Sequence, residues 1–415
     1  MNLSAKAEHL DNGGDGESLM GLATLMTMAY SGIDLAPLGV KMIERATRNP
    51  EDANARMDLA TIMHLDFAPD LALDIQAQAL RIRQLYHLPA AAGTAGIRLL
   101  AIMAPGTLMA NAPLEFLVEG SDVALDMLYI SADLPFPETL PEHDLMFVAI
   151  NERDEVHPLL AQLATLAKDW PRPVLNAPER IALLSRDGTC SLLKSAPGIV
   201  MPSSVRVDRQ TLEKVSRKEL AIAALLADGD FPALVRPVGS HAGQGLAKLD
   251  DRSAVENYLQ GRADDAFYIT RFVDYRGADG MFHKYRIVLI DGRPYACHMA
   301  ISRHWMVHYL NAGMERSAAK RAEEARFMTG FDEGFARRHQ DALRAIHARV
   351  GLDYLVIDCA ETPAGDLLVF EIDSGAVVHA MDPVDVFPYK QAQMRKVFRA
   401  FREMLAKAAE RGSSR

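Results

Sequence analysis

The amino-acid sequence predicts a protein of mixed α/β and α+β class that is preceded by an α-helical domain. Up to residue 88, apolar residues recur at the three- and four-residue steps of helices. Beyond residue 93 they gather into short continuous runs, which are typical of buried strands. Beyond residue 230 the runs come in pairs joined by tight-turn residues, as in antiparallel hairpins. A chain of 415 residues has room for about two or three domains.

Composition and charge restrict the class of protein further. The formal net charge of -10 disfavours a general nucleic-acid binder, and 49% hydrophobic with 24% charged residues is ordinary for a globular protein. No run approaches the ~18–20 apolar residues of a membrane helix, and the N-terminus has no apolar segment of signal-peptide type. We therefore expect no membrane partner. Cys190, Cys297 and Cys359 lack CxxC spacing, so we expect free thiols and a cytoplasmic location.

Residues 17–92 predict a helical domain, which follows a glycine-rich, disordered tail at residues 1–16. Breaks at Ser31-Gly32, Asn49-Pro50 and Pro69 divide the domain into about four helices, which we expect to form two hairpins. The pattern is weakly similar to tetratricopeptide packing, without a clean match to its aromatic and glycine positions. Two interpretations stay open: a groove that binds a peptide or protein substrate, or a helical cap that buries its own core.

Residues 93–175 predict a small α/β domain. Continuous apolar runs at 97–103, 123–130 and 145–150 are separated by polar or helical connections, as in a parallel sheet. The first run ends at the loop 104–107, and open α/β sheets place ligands at the carboxyl ends of their strands. A purely structural turn would look the same, so this loop is a weak indication of a ligand site.

A glycine-rich turn between two predicted strands indicates a phosphate site. Arg236 lies in the strand 233–238, the glycines follow at 239–245, and a return strand is predicted at 246–249. Glycines let backbone N–H groups approach phosphate oxygens, and arginine adds a permanently charged fork. The spacing disfavours a Walker loop and a dinucleotide-binding fingerprint. Taken alone, such a turn is more often a simple hairpin.

Cations recur on the strands that follow. Asp291-Gly292 predicts the tight turn of a hairpin between 284–290 and 293–300. Lys284 and Arg286 are two residues apart and share one face of that hairpin. A cationic face complements a polyphosphate or an acidic substrate, whereas solvated strand cations are the simpler alternative, above all for Lys284.

Three carboxylates lie on a further predicted hairpin, formed by the segments 354–359 and 367–372. Glu371 and Asp373 share a face because side chains alternate along a strand, and Asp358 approaches that face if the strands pair. Such a group is costly in an apolar setting unless a cation neutralises it. Hard oxygen ligands suit Mg²⁺, with Mn²⁺ as the alternative. Acidic, solvated hairpin ends are the other interpretation.

The C-terminal segment is predicted to be helical from Tyr389 onward. Met394, Val397, Phe401 and Leu405 form one apolar stripe at helical spacing. We expect this stripe to pack against the sheet that carries the three carboxylates.

Four segments together resemble the ATP-grasp superfamily, above all its glutathione synthetase branch and the ribosomal-protein glutamate ligases. They are LVRPVGSHAGQG (234–245), YITRFVD (268–274), HKYRIVLIDG (283–292) and the pair VID and VFEIDSG (356–358 and 369–375). Their order and spacing agree with the family over residues 176–404. The resemblance implies an ATP-grasp fold with a pre-grasp α/β domain at 93–175 and a grasp domain at 176–410, divided into subdomains 176–270 and 271–410.

The resemblance also implies roles for individual residues. Arg236 would contact phosphate, the loop 239–245 would close over the γ-phosphate, the stretch 271–273 would border adenine, and Asp274 would bind the ribose hydroxyls. The implied ATP-binding set is Arg236, Gly239, Ser240, His241, Gly243, Gly245, Arg271, Phe272, Val273, Asp274, Lys284 and Asn311. The implied Mg²⁺ ligands are Asp358, Glu371 and Asp373.

Two departures from the family pattern bear on the site. Relatives often have Asp-Lys where this chain has Asp187-Gly188, so one nucleotide-side lysine is missing. Arg186, Lys194 or Arg206 would have to replace it. Asp373 stands where relatives usually carry asparagine, which adds a negative charge to the metal site.

The activity implied by the resemblance is ATP- and Mg²⁺-dependent ligation of a carboxylate to an amine through an acyl-phosphate. The substrates would be small molecules, or a peptide or protein bound by the helical domain. Two other functions stay open: a small-molecule kinase on the same scaffold, and a nucleotide-binding protein without chemistry. We also expect a homodimer.

Arg286, Arg303 and His304 are the candidate catalytic residues. Arg286 would face the phosphates or acyl-phosphate, and Arg303 and His304 would bind the carboxylate or deprotonate the amine. A surface histidine beside Trp305 is an equally good interpretation of His304. The other histidines of this region, His283, His298 and His308, lack metal-ligand spacing and are given no role.

Overall fold

The computed structural model describes residues 18–91, 93–240 and 243–413. In these ranges a group of helices precedes a five-stranded sheet, a four-stranded sheet and a second five-stranded sheet. The predicted class, a mixed α/β and α+β protein behind a helical domain, is confirmed. The predicted tail at residues 1–16 and His241 of the glycine loop lie outside the described residues. No helix in the described ranges is both long enough and apolar enough to cross a membrane.

The helical domain breaks where the sequence predicts. Its helices are α1 (Leu22–Tyr30), α2 (Ala36–Arg48), α3 (Ala53–Leu65) and α4 (Pro69–Ile82). Helix α3 lies at the centre and contacts the other three. Leu25, Met42 and Ile62 form the buried core between them. The Asp52 carboxylate caps α3 by accepting a hydrogen bond of 2.8 Å from the Ala55 N–H.

The prediction of helix as far as residue 88 is wrong at its end. Residues Leu85–Leu88 form strand β1, which pairs antiparallel with a strand of the following sheet. A segment of four residues is too short for its apolar spacing to distinguish a helix from a strand. The predicted helical region 17–92 thus includes the edge strand of the next domain.

The α/β domain has the predicted parallel strands. Its elements are β2 (Ile97–Met103), α5 (Leu114–Val118), β3 (Val123–Tyr129), β4 (Leu145–Val148), α6 (His157–Leu166) and β5 (Val174–Leu175). The strand order is β1-β3-β2-β4-β5, and β3, β2, β4 and β5 run parallel. Burial on both faces explains why these strands are apolar throughout.

The next sheet is antiparallel, in the order β7-β10-β8-β9. This part contains α7 (Pro178–Ile181), α8 (Arg186–Leu193), β6 (Ile199–Val200), β7 (Ser204–Asp208), α9 (Arg209–Ser216), β8 (Ala233–Pro237), β9 (Ala247–Leu249), α10 (Arg252–Leu259) and β10 (Ala266–Arg271). Helices α7 and α8 are separate, and α9 ends at Ser216. The Ser185 hydroxyl accepts a hydrogen bond from the Gly188 N–H and so caps the start of α8. Lys218, which has a positive φ of 67°, follows the end of α9.

The third sheet has the order β12-β11-β13-β14-β6. Its part of the chain contains β11 (Phe282–Ile290), β12 (Arg293–Ser302), α11 (Ala318–Thr329), α12 (Gln340–Val350), β13 (Tyr354–Glu361) and β14 (Leu367–Asp373). The predicted turn is present, with φ 51° at Asp291 and 74° at Gly292.

The C-terminal helix α13 (Lys390–Ser413) lies between the third sheet and the α/β sheet. Its predicted stripe is buried in one core with residues of both sheets, among them Leu125, Val288 and Tyr354. The prediction that this helix packs on the carboxylate-bearing sheet is confirmed.

Asn176 joins the α/β domain to strand β13. The side chain is fully buried and exchanges two hydrogen bonds of 2.9 Å with the backbone of Tyr354. Its own N–H donates to the Asp353 carboxylate at 2.8 Å. These bonds fix the strand that carries Asp358 relative to the α/β domain.

Two carboxylates, the buried Asp58 and the half-buried Glu115, hold the start of α1. Asp58 accepts hydrogen bonds of 3.0 Å from the N–H groups of Met20 and Gly21, and Glu115 accepts one of 2.9 Å from Ala23. Burial raises the pKa of Asp58 to about 6 and that of Glu115 to about 7, although the backbone hydrogen bonds oppose the shift. Since Glu115 belongs to α5, it ties α1 to the α/β domain.

We expect wild-type protein to lose thermal stability as the pH rises from 5 to 8, and Glu115→Gln to lose less. A carboxyl whose pKa is raised in the folded state stabilises the fold fully below its unfolded pKa of 4.5, and this contribution disappears as the pH rises through about 7. For Glu115 the loss is about 2–3 kcal/mol over this window. Melting temperatures at several pH values measure it.

The exposed neighbour Glu119 provides the matched control for this experiment. Glu119→Gln should follow the wild-type dependence on pH. Parallel melting curves of Glu115→Gln and wild type across the whole window would contradict the assignment of a raised pKa to Glu115.

Candidate active site

A cavity of about 690 Å³ lies between the second and third sheets. Side chains of β8 and β10 line it on one side, and side chains of β11, β12 and β14 line it on the other. Helix α1 and the loop after β14 complete its wall. Clefts of this size between subdomains are the usual places for a nucleotide or another small molecule.

One part of the cavity is an apolar slot, lined by Met201, Leu234, Phe272, Val273 and Leu368. The Phe272 ring meets Trp305 edge to face at 5.7 Å between centroids, and the Lys248 ammonium lies 4.7 Å from the Phe272 ring centre. Because its lining side chains are apolar, this part of the cavity suits an aromatic group such as a nucleobase.

Two β-bulges place the charged residues of the cavity. One lies between Arg286 and Ile287 in the pairing of β11 with β12, and the other between Asp358 and Cys359 in the pairing of β13 with β14. In the resulting register Arg286 lies opposite Asp358, which lies opposite Glu371. A row of charged side chains therefore crosses three neighbouring strands on one face.

Asp358 is held by two cations of β11. Its two oxygens accept hydrogen bonds of 2.8 and 3.0 Å from the Arg286 guanidinium, and the Lys284 ammonium is 2.7 Å from one of them. Burial alone would raise the pKa of Asp358, but Arg286 and Lys284 outweigh burial and hold it well below its usual range. The carboxylate is therefore ionised at neutral pH.

The other two carboxylates differ from each other in charge environment. Arg186 donates to Glu371 at 2.6 Å, and despite burial this cation keeps the pKa of Glu371 below its usual value. Burial and the neighbouring Glu371 raise the pKa of Asp373 to about 6. The Gly375 N–H donates to Asp373 at 2.6 Å and opposes that shift.

Arg236 joins the glycine loop to the cavity. Its guanidinium donates to the Ser240 hydroxyl at 3.0 Å and also to the Ser240 carbonyl. Burial and the nearby Arg186 lower the pKa of Arg236 to about 10, so it remains charged at neutral pH. At Gly245, where φ is 65°, a Cβ would lie 2.6 Å from the Pro237 ring, so this turn requires glycine.

The structure brings most of the sequence-predicted residues to one cavity. Those that line it are Arg236, Gly243, Arg271, Phe272, Val273, Lys284, Arg286, Asn311, Asp358, Glu371 and Asp373. Gly239, Ser240 and Gly245 belong to the glycine loop without lining the cavity.

Three predicted residues lie elsewhere. Arg303 and His304 follow the end of β12 at Ser302, where the chain leaves the sheet, and both are exposed and outside the cavity lining. Their prediction as catalytic residues therefore has no support in the geometry. Asp274 is also exposed outside the lining, and it accepts a hydrogen bond from the Arg276 N–H.

Of the three cations named as substitutes for the lysine of the family pattern, Arg186 is the one that lines the cavity. It lines the cavity and contacts Glu371, whereas Lys194 is exposed outside the lining. Arg206 is also outside the lining and pairs with Asp154 at 2.5 Å.

Sequence reasoning missed part of the cavity wall. His298 and His308, which were given no role, both line the cavity, as do Tyr30, His379 and Asp382. His298 lies opposite Arg286 because of the bulge in the β11–β12 pairing, and the residue pattern of one strand does not reveal such a bulge. No local pattern in the sequence connects α1 with this site.

The three carboxylates offer oxygen ligands of the kind that a hard divalent cation prefers, and all three line the cavity. Their oxygens do not all lie within 4.8 Å of one another, so side chains would have to move to hold one ion; among the described residues, Glu152, Asp154 and His157 form the group that meets this distance. Arg186 and the Gly375 N–H each engage one oxygen, of Glu371 and Asp373 respectively, whereas Arg286 engages both oxygens of Asp358. A cation would therefore compete with Arg286 and Lys284 for Asp358.

Comparisons with known proteins find solved structures that are similar at low sequence identity. No family model matches the chain. D-alanine–D-alanine ligases from Bacillus anthracis, complexed with ATP, and from Coxiella burnetii each match 77% of this chain. The first is 14% identical, with a TM-score of 0.44 and 99% of its own length matched. The second is 11% identical, with a TM-score of 0.47 and 96% of its own length matched. A RimK-domain ATP-grasp protein from Sphaerobacter thermophilus matches 75% of this chain and 99% of its own, with 17% identity and a TM-score of 0.39. At such values the function has to be inferred from the cleft itself.

Proposed function

We propose that the protein is an ATP- and Mg²⁺-dependent ligase that joins a carboxylate to an amine through an acyl-phosphate. The observation that carries the proposal is that four cations and three carboxylates line one cleft, next to an apolar slot. The cations are Arg186, Arg236, Lys284 and Arg286, and the carboxylates are Asp358, Glu371 and Asp373. A triphosphate with a divalent cation has the charges that complement both groups.

The proposal assigns each part of the ligand to a part of the cleft. The base takes the slot around Phe272 and Val273, and the glycine loop covers the phosphates with backbone N–H groups. Arg236 and Arg186 would neutralise phosphate charge, and Glu371 and Asp373 would hold the metal together with Asp358. Mg²⁺ would neutralise and orient the phosphate oxygens.

In the proposed reaction, a carboxylate oxygen of the first substrate attacks the γ-phosphorus, the bond from this phosphorus to the bridging oxygen breaks, and ADP leaves. The amine then attacks the acyl carbon, the bond from that carbon to the phosphate oxygen breaks, and the nitrogen loses a proton. Positioning and charge neutralisation account for most of such catalysis. Arg286 is central, because it contacts both Asp358 and the carbonyl of Val377 beside the cavity.

Exclusion of water is the second task of the cleft, since an acyl-phosphate hydrolyses if water reaches it. Gly243 of the glycine loop and Met26 and Tyr30 of α1 border the cavity. Because α1 of the helical domain forms part of the cavity wall, a peptide or protein substrate that binds this domain would lie beside the cleft.

The test is incubation with ATP, Mg²⁺ and pools of amino acids and peptides, with ADP and product masses measured together. We expect ADP release that requires both a carboxylate and an amine, and a product that equals their sum minus water. A phosphorylated product without an amide would replace the proposal by a kinase. Tight ATP binding without turnover in any pool would replace it by a nucleotide-binding protein.

A further inference from the structure

Part of the cavity wall comes from the N-terminal helical domain. Met26 and Tyr30 of α1 line the cavity together with His379, Met381 and Asp382 of the loop after β14, and we call these five residues the α1 wall. The rings of Tyr30 and His379 are 5.9 Å apart, and the Tyr30 hydroxyl lies 3.5 Å from Asp382. Since Asp58 and Glu115 fix the start of α1, the helical domain is built into the cleft.

A buried charged cluster stands behind the α1 wall. The ammonium of Lys390, a residue that is 1% exposed, lies 3.1 Å from Asp382 Oδ2 and 3.4 Å from Glu324, and it donates to the Tyr309 hydroxyl. These contacts occupy the three N–H groups of Lys390. One cation faces two carboxylates, so the cluster carries a negative charge when both acids are ionised.

The histidines near this wall add no positive charge at neutral pH. Burial lowers the pKa of His379 to about 4, and burial also lowers the pKa of His298 and of His308. Arg286 and Lys284 are both engaged by Asp358. His298 lines the cavity, and its Nδ1 is buried without a hydrogen-bond partner among the described residues.

We infer that the α1 wall is the amine subsite of the proposed ligase and that it selects a cationic amine attached to an apolar or aromatic group. Asp382 holds the ammonium, and Met26 and Tyr30 pack against the apolar group. An acidic amine is disfavoured because its carboxylate would face Asp382, which lines the cavity. This inference rests on the proposed function and extends it to the class of the second substrate.

The test uses the full chain saturated with AMP-PNP and Mg²⁺ and measures binding of L-phenylalaninamide by calorimetry. We expect this aromatic cation to bind, L-alaninamide to bind more weakly, and N-acetyl-L-phenylalaninamide, which has no ammonium, not to bind. Asp382→Asn should weaken L-phenylalaninamide roughly ten- to a hundredfold, because it removes a charge-assisted hydrogen bond. Met26→Trp should block binding by filling the space beside Tyr30, without touching Lys390.

Exposed Ile33, just beyond α1 and outside the lining, gives the control Ile33→Trp, which should bind like wild type. Equal binding of the acetylated compound, wild-type affinity of Met26→Trp, or absence of L-phenylalaninamide binding would each overturn the inference. Binding of AMP-PNP is measured first. If the nucleotide does not bind, the proposed function fails. If it binds and L-phenylalaninamide does not, only the assignment of the amine subsite fails.

Discussion

Glu371→Gln is expected to reduce ATP turnover by about 10²–10³-fold while the protein keeps its fold. Glutamine has nearly the same shape, but it removes the negative charge that a divalent cation would bind and that holds Arg186 at 2.6 Å. The same change removes the carboxylate that helps to raise the pKa of Asp373. Steady-state ADP release, measured at increasing Mg²⁺, determines the size of the effect.

Binding measurements separate the metal role of Glu371 from a purely structural role. With Mg²⁺ present, the variant should bind ATP more weakly than wild type. Without Mg²⁺ it should bind ATP at least as well, because Arg186 is no longer paired and can turn to phosphate. Glu323→Gln, which alters a carboxylate bonded to His283 outside the cavity lining, is the matched control. Unchanged turnover in Glu371→Gln would refute the metal assignment.

Asp373→Asn tests whether Asp373 and Glu371 contribute differently to ATP turnover. The ATP-grasp resemblance places asparagine at this position, so the amide should preserve ATP turnover, in contrast to Glu371→Gln. Loss of activity as large as that of Glu371→Gln would mean that the charge of Asp373 is required in this chain.

The carboxylate hairpin shows how far the site could be predicted from the sequence. Asp358 and Glu371 do share a face, as predicted, but a regular hairpin would have separated them. Near the turn, Glu361 pairs with Leu367 and Cys359 pairs with Val369. If this register continued without a bulge, Asp358 would lie opposite Phe370. A shift of one residue turns a side chain to the other face, and the bulge after Asp358 provides that shift.

The β11–β12 hairpin also contains a bulge that changes which residues lie opposite each other. Counting from the Asp291-Gly292 turn, a regular register sets Arg286 opposite Cys297, whereas the bulge sets it opposite His298. Bulges depend on how three strands accommodate each other, and the residue pattern of one strand does not specify them. For this reason His298 could not be recognised as part of the cavity wall, although the turn itself was predicted correctly.

The contribution of α1 to the cleft is a property of the tertiary structure alone. Met26 and Tyr30 meet His379 and Asp382 across more than three hundred positions of sequence, as the separation of 352 for Tyr30 and Asp382 shows. The helical spacing of the domain predicted its helices, because that signal is local. It carried no information about which face meets the cleft.

Arg286→Met is expected to abolish ligase turnover and to lower the melting temperature. Arg286 forms two hydrogen bonds with Asp358 and donates to the Val377 carbonyl at 3.1 Å, so methionine leaves a buried carboxylate with Lys284 as its remaining cation. Removing one partner of a buried ion pair costs about 3 kcal/mol or more. The pKa of Asp358 should rise, because Arg286 lowers this pKa more strongly than Lys284 does.

Arg286→Lys distinguishes charge from geometry. A lysine keeps the positive charge and most of the stability, but its single ammonium cannot contact both oxygens of Asp358 and the Val377 carbonyl together. We therefore expect a melting temperature close to wild type with turnover reduced by about a hundredfold, since positioning of the acyl-phosphate requires the planar fork. Exposed Arg316→Lys serves as the control and should match wild type in both measurements. If Arg286→Lys were fully active, Arg286 would act through its charge alone, and the row that crosses β11, β13 and β14 would be a structural ion-pair network.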